Sequence, residues 1–133
     1  MSPEEPLFLD IDDVIELHAT QLAIFGGLSG IRDRGLLESA VAHPQSSFGG
    51  EFVHDGLFAM AAAYLFQIVS NHAFVDGNKR AGLLSAVIFL DLNGIRIDRP
   101  SEALYELTMA VAERRVEKAN VAAELERIAK LQG

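Results

Sequence analysis

Two stretches in the middle of the chain are apolar on almost every side, and a short polar window separates them. The first opens after Asp55, a candidate cap, and runs to about Asn71 through Leu57, Phe58, Met60, Ala61, Ala62, Ala63, Tyr64, Leu65, Ile68 and Val69. The second runs from about Asn78 to Asn93 through Leu83, Leu84, Ala86, Val87, Ile88, Phe89, Leu90 and Leu92, with Gly94 placed as a C′ glycine would be. A helix that is hydrophobic all round belongs inside a domain. These two are therefore expected to form a central antiparallel pair covered by other helices. Neither suits a bilayer: the run from Leu57 to Val69, broken by Gln67, is shorter than the about 20 residues a membrane helix needs.

The covering helices are legible from period and caps. Asp10 is a good N-cap for a helix with Ile11, Val14, Ile15, His18, Leu22 and Phe25 in helical rhythm, ended by Gly26-Gly27. Asp33 opens a short helix carrying Leu36, Leu37, Ala40 and Val41, which stops before Pro44. Residues 45–54 form either a substrate flap or a plain loop. Residues 95–98 read as a short extended piece. Pro100 and Ser101 announce a helix with Leu104, Leu107 and Val111 inward. After a break near 114–116, a last amphipathic helix bears Val121, Leu125, Ile128 and Leu131. The expectation is an all-α fold, a compact bundle of about six helices around a central helix-loop-helix, as one domain over residues 1–133.

Charge and cysteine narrow the function. With 11 Lys and Arg against 19 Asp and Glu, the net charge is −8, which argues against direct nucleic-acid binding. The absence of cysteine removes disulfides, thiolate metal sites and cysteine nucleophiles. The acidic start Met1-Ser-Pro-Glu-Glu-Pro is unlike a signal peptide. The expectation is a soluble cytoplasmic protein with no membrane partner.

The polar window is Ser70-Asn-His-Ala-Phe-Val-Asp-Gly-Asn-Lys-Arg80. Polar groups at the junction of two greasy helices are costly unless they serve a site. The second helix starts near Gly77-Asn78, so its orphan amides and dipole present positive charge there. Gly77 permits close approach of a ligand to the backbone, and Lys79 and Arg80 add full charge. Basic residues at a helix N-terminus oppose the dipole, which itself suggests an anion partner. This is a cradle for phosphates. Asp76 beside it would repel phosphate without an intervening cation, and Mg²⁺ is the natural one. Asn78 can orient phosphate or metal. His72 precedes the cradle, and imidazoles exchange protons near neutral pH. Base, metal carboxylate and phosphate cradle together describe transfer from a nucleotide to a hydroxyl. Phe74 serves as an apolar peg for the loop.

The segment His72-Ala-Phe-Val-Asp-Gly-Asn-Lys-Arg80 resembles the motif H-x-F-x-[D/E]-[G/A]-N-[G/K]-R of the Fic/Doc superfamily. Gly27-Leu-Ser-Gly-Ile-Arg-Asp-Arg-Gly-Leu-Leu-Glu-Ser-Ala40, Arg80-Ala-Gly and Phe89-Leu-Asp-Leu-Asn-Gly94 resemble flanking segments of its Doc, or death-on-curing, toxin branch. The resemblance implies His72 as general base, with Lys79 and Arg80 completing the catalytic set. It implies Asp76 as the Mg²⁺ ligand, and Gly77, Asn78, Lys79 and Arg80 as holders of the ATP phosphates. AMP-transferring members usually have Gly where this chain has Lys79, and a second Arg where it has Leu83. Both departures point to the Doc-like kinase mode, in which the terminal phosphate of ATP passes to a Ser or Thr hydroxyl of a protein. Gly77 points the other way, since Ala can occupy that place in Doc. AMP transfer and a catalytically silent binding module are the alternatives. The branch further implies a translation factor as substrate and a cognate antitoxin whose disordered C-terminal segment folds on binding. Ser47-Phe-Gly-Gly-Glu51 is only a chance match to the inhibitory helix of Fic proteins, since two glycines weaken it.

The remaining histidines read as structural. His18 sits in an apolar rhythm as a hydrogen-bonded packing residue. His43 and His54 flank turns and are expected to face solvent. No H-E-x-x-H pair suggests zinc.

Overall fold

A computed structural model describes residues 5–97 and 101–132. Among them are six α-helices: α1 (Ile11–Phe25), α2 (Arg34–Ala42), α3 (Leu57–Asn71), α4 (Asn78–Leu92), α5 (Glu102–Ala112) and α6 (Lys118–Gln132). A 3₁₀ turn at His43–Gln45 follows α2. The one hairpin described pairs β1 (Ser47–Phe48) with β2 (Glu51–Phe52) in antiparallel register, Ser47 opposite Phe52. The fold is all-α, and the segment 45–54 resolves into this small hairpin with Gly49-Gly50 at its tip.

Three helices begin as their sequences dictate. The Asp10 carboxylate accepts from Asp13 N (2.8 Å) while Asp13 accepts from Asp10 N (2.9 Å), a reciprocal cap. Asp33 accepts from Leu36 N, and Ser101 Oγ from Leu104 N, both at 3.0 Å. Asp55 does not cap α3. Gly56 occupies the N-cap with positive φ, and no side chain bonds to the first turn, since Asp55 lies one residue outside the position whose side chain reaches those amides. The piece expected at 95–98 has no regular structure over its described residues 95–97, and Pro100 lies outside the described residues.

Helix α3 is the axis of the domain and packs against α2, α4, α5 and α6. Residues Ala61 to Leu65, Ile68 and Val69 are fully buried. The α3–α4 approach is close enough that a Cβ on Gly82 would sit 2.7 Å from Val69 Cγ2 and 3.2 Å from Leu65 O. Only glycine allows that contact without displacement. Two polar side chains then fix the N-terminal segment to the core. Tyr64 Oη accepts from Leu9 N (2.9 Å) and donates to Leu9 O (3.2 Å), and burial pushes its pKa up to about 12. Asn93 accepts from Leu7 N and donates to Leu7 O. Phe8 rests against Phe52 and Phe89, tying the hairpin to the same core.

Two expectations about burial change away from the α3–α4 turn. Leu131 is largely exposed, beyond the last core-packed residue of α6, Ala129. His43 and His54 do not simply face solvent. They meet edge to face at 4.9 Å across the base of the hairpin, and Lys118 Nζ donates to His43 Nε2 at 2.8 Å. Burial first, and then the Lys118 cation, hold both imidazoles below their ordinary pKa. These contacts join positions far apart in sequence, so turn chemistry gave no sign of them.

Candidate active site

The turn from α3 to α4 is built from both sides. Helix α3 ends at His72, a left-handed residue with φ 49°, a conformation that costs a non-glycine residue on the order of 1 kcal/mol. Arg32 holds that end: its Nε donates to His72 O (2.7 Å) and its Nη2 to Asn71 O (3.2 Å). A cation on the last carbonyls of a helix also suits the dipole. The backbone of 30–33 then zips along the turn. Arg32 N and Asp33 N donate to Ala73 O, and Val75 N donates to Gly30 O. Ala73 and Phe74 are buried beneath this seam, while the His72 side chain stays exposed.

Inside the turn, Asn78 closes a ring. Its Oδ1 accepts from Phe74 N and its Nδ2 donates to Phe74 O, both at 3.0 Å. The side chain expected to orient phosphate or metal thus also shapes the loop. Gly77 takes the N-cap of α4 with φ 77°, and no side chain caps the helix. The first-turn amides of α4 therefore remain available to an anion.

Asp76 is held by backbone on two sides. Leu28 N donates to its Oδ2 (3.0 Å) and Gly77 N to its Oδ1 (2.8 Å). These bonds, in that order, hold its pKa below the ordinary 3.8. A depressed folded-state pKa adds stability above the unfolded chain's aspartate pKa, and that contribution is lost as the pH falls through the folded value. Carboxyl NMR titration is expected to put the Asp76 midpoint below 3.8. A midpoint at or above that value would show that the Leu28 and Gly77 bonds are not kept in solution. Gly27 makes the fit possible, since a Cβ there would come within 2.7 Å of Asp76 Oδ2.

His18 supports the turn from below. It is 5% exposed and stacks on Phe74 with ring centroids 3.7 Å apart. Its Nε2 lies 2.7 Å from Asp76 O. A carbonyl can only accept, so Nε2 carries the proton. The packing histidine expected from α1 is therefore a strut of the site. Phe25, expected inward, is more than half exposed, with the Arg80 guanidinium 4.3 Å above its ring. A cation over an aromatic face is held weakly but directionally.

The turn and the start of α4 open on one cleft of about 740 Å³. His72, Asp76, Gly77, Asn78, Lys79 and Arg80 line one end, and residues of α5 line the other. Every sequence-predicted site residue is in this lining. What the sequence did not point to is the support: Arg32, Gly27, Leu28 and the partner of His18. Their only local signal was the Gly-Ile-Arg-Asp run before α2. Among the described residues no group of three His, Asp or Glu could chelate a metal alone. A metal here must share its shell with a ligand. The ionised Asp76 at the cradle's edge fits Mg²⁺, which takes one or two carboxylates and fills its shell with phosphate oxygens and water.

Comparison with known proteins adds to this geometry. Residues 8–90 match the family described as the Fic/DOC family. The chain is 41% identical over 120 residues to the toxin Doc of Mycolicibacterium smegmatis, covering 89% of this chain and 90% of that one. It is 35% identical over 118 residues to the protein kinase doc of Escherichia phage P1, covering 88% and 91%.

Proposed function

This chain belongs to the Fic/DOC family, and on that premise we propose that it is a toxin kinase. It transfers the terminal phosphate of ATP to a Ser or Thr hydroxyl of a protein, with Mg²⁺. The observation that carries the reading is the shared cleft: His72, the ionised Asp76 and the uncapped start of α4 with Lys79 and Arg80 all line it. The name of the phage P1 relative, protein kinase doc, supports the kinase mode, as do Lys79 and Leu83 at the two places where AMP-transferring members differ; the name of the Mycolicibacterium smegmatis relative, toxin Doc, supports the toxin role.

The steps assigned to this chain are few. The α4 amides, Lys79 and Arg80 hold the phosphates and take up the charge that grows as the bond to the terminal phosphate loosens. Asp76 would hold Mg²⁺, which when bound would neutralise phosphate charge. The His72 imidazole accepts the proton of the attacking hydroxyl. Arg32 and Asn78 keep the turn in shape while this happens. The protein substrate, a translation factor by family resemblance, presents its hydroxyl at the open mouth of the cleft. An antitoxin is the natural partner of such a toxin, its disordered C-terminal segment ordering as it binds. No helix among the described residues is long and apolar enough to cross a membrane.

Incubation with bacterial extract, Mg²⁺ and ATP labelled at either the γ or the α phosphate tests the proposal. The expected result is γ label on protein. Label from the α position instead would mean AMP transfer, and label from neither would favour the silent binding module.

A further inference from the structure

We infer that the far end of the same cleft is a nucleobase platform that grips a base by its faces and reads little of its edge, so the site takes adenine and guanine nucleotides with little discrimination. This rests on the transfer reading for the phosphate end and adds the substrate range. The cleft is sharply two-ended. Every cationic side chain in its lining, and the open amides, belong to the α4 start; the α5 end offers Leu83, Leu104, Tyr105 and Met109. A polyphosphate gains nothing from such a wall, whereas a flat heterocycle does.

Tyr105 and Met109 lie four residues apart on α5 and so share a face. Leu83 comes from the second turn of α4, and Leu104 is buried to form the floor. Tyr105 is 60% exposed, a large area of ring left uncovered on a cleft wall. Aromatic rings stack on any base because every base has a π face, and a thioether is a favourable neighbour for an aromatic edge. Reading an edge takes fixed donors and acceptors. The two hydroxyls at this end are engaged with α5 itself: Ser101 Oγ accepts from Leu104 N (3.0 Å), and Thr108 Oγ1 donates to Leu104 O (2.9 Å). Ser101 keeps a free proton and Thr108 free lone pairs, but both oxygens are tied to the α5 backbone, and among the described lining residues at this end the Tyr105 hydroxyl is the one with no hydrogen bond to the protein. A site that hydrogen-bonds an edge rejects the wrong partner by large factors, while an apolar one rejects it weakly.

Calorimetric titration of the full chain with the Mg²⁺ complexes of ATP, GTP and inorganic tripolyphosphate tests this. ATP is expected to bind about 10-fold or more tighter than tripolyphosphate, and GTP within about 10-fold of ATP. Tyr105→Ala is expected to weaken both nucleotides by about 10-fold and leave tripolyphosphate unchanged, and Tyr105→Phe to retain wild-type binding. Tripolyphosphate binding as tightly as ATP would overturn the platform but not the phosphate cradle. So would a preference for ATP over GTP above about 100-fold, or nucleotide binding indifferent to Tyr105→Ala. Should that variant fail to fold, the wild-type comparison of ATP with tripolyphosphate decides alone. No binding of any of the three would overturn the transfer reading and this one with it.

Discussion

Replacing His72 with asparagine is expected to slow protein phosphorylation about 10²–10⁴-fold, the usual contribution of a positioned general base, while Mg²⁺–ATP binding stays near wild type. Asparagine is chosen with the backbone in mind. Position 72 ends α3 with φ 49°, and asparagine enters the left-handed region more readily than alanine does. The bonds from Arg32 go to the backbone carbonyls of Asn71 and His72, so they survive the change. The phosphate-holding groups sit on α4 and do not touch the 72 side chain in any recorded hydrogen bond. The loss should therefore fall on kcat rather than on nucleotide affinity, which is the sign of a group acting on the reacting proton. Single-turnover kinetics with γ-labelled ATP, beside calorimetry of nucleotide binding, separates the two. An unchanged turnover would remove His72 as the base. A loss of nucleotide binding equal to the loss of rate would instead make it a binding residue.

What could be read from the sequence, and what could not, follows the range of the interactions. The central pair was legible because α3 and α4 carry apolar residues on nearly every face, a pattern with one solution in water. Asp10, Asp33 and Ser101 were legible because a cap acts on amides two or three residues away. The cleft's chemistry was legible because His72 to Arg80 are consecutive and the helix start that concentrates them is local too. Asn78 lines the cleft, and nothing in the sequence shows that its amide also closes on Phe74. The grip of Arg32 on the end of α3, that of Leu28 on Asp76, and the clamp of Lys118 on His43 span about 40 residues or more. Their spacing is set by how the helices pack, which one sequence does not specify.

The same distinction makes Phe74 the most consequential residue of the turn that touches no reactant. Phe74→Ala is expected to destabilise the protein by about 3–5 kcal/mol, the range for deleting a buried phenyl ring. Phe74 is 1% exposed. Its ring stacks on His18, its backbone is bridged to Ile31, and both its N–H and C=O are bonded by Asn78. The cavity would open under the turn itself. His18 would lose the face it lies on, and with it the fixed direction of the proton it gives to Asp76 O. Urea denaturation followed by circular dichroism measures the stability. Phe74→Leu separates filling from stacking: it restores much of the buried volume but not the parallel ring contact. Leucine is therefore expected to recover most of the stability, while Mg²⁺ dependence of the transfer stays weakened because Asp76 is less firmly aimed. If leucine restored both in full, the stack on His18 would be mere packing. If alanine cost less than about 1 kcal/mol, below any buried-ring deletion in that range, the turn would not be pinned from beneath, and the sharing of one cleft by His72 and the start of α4 would need another cause.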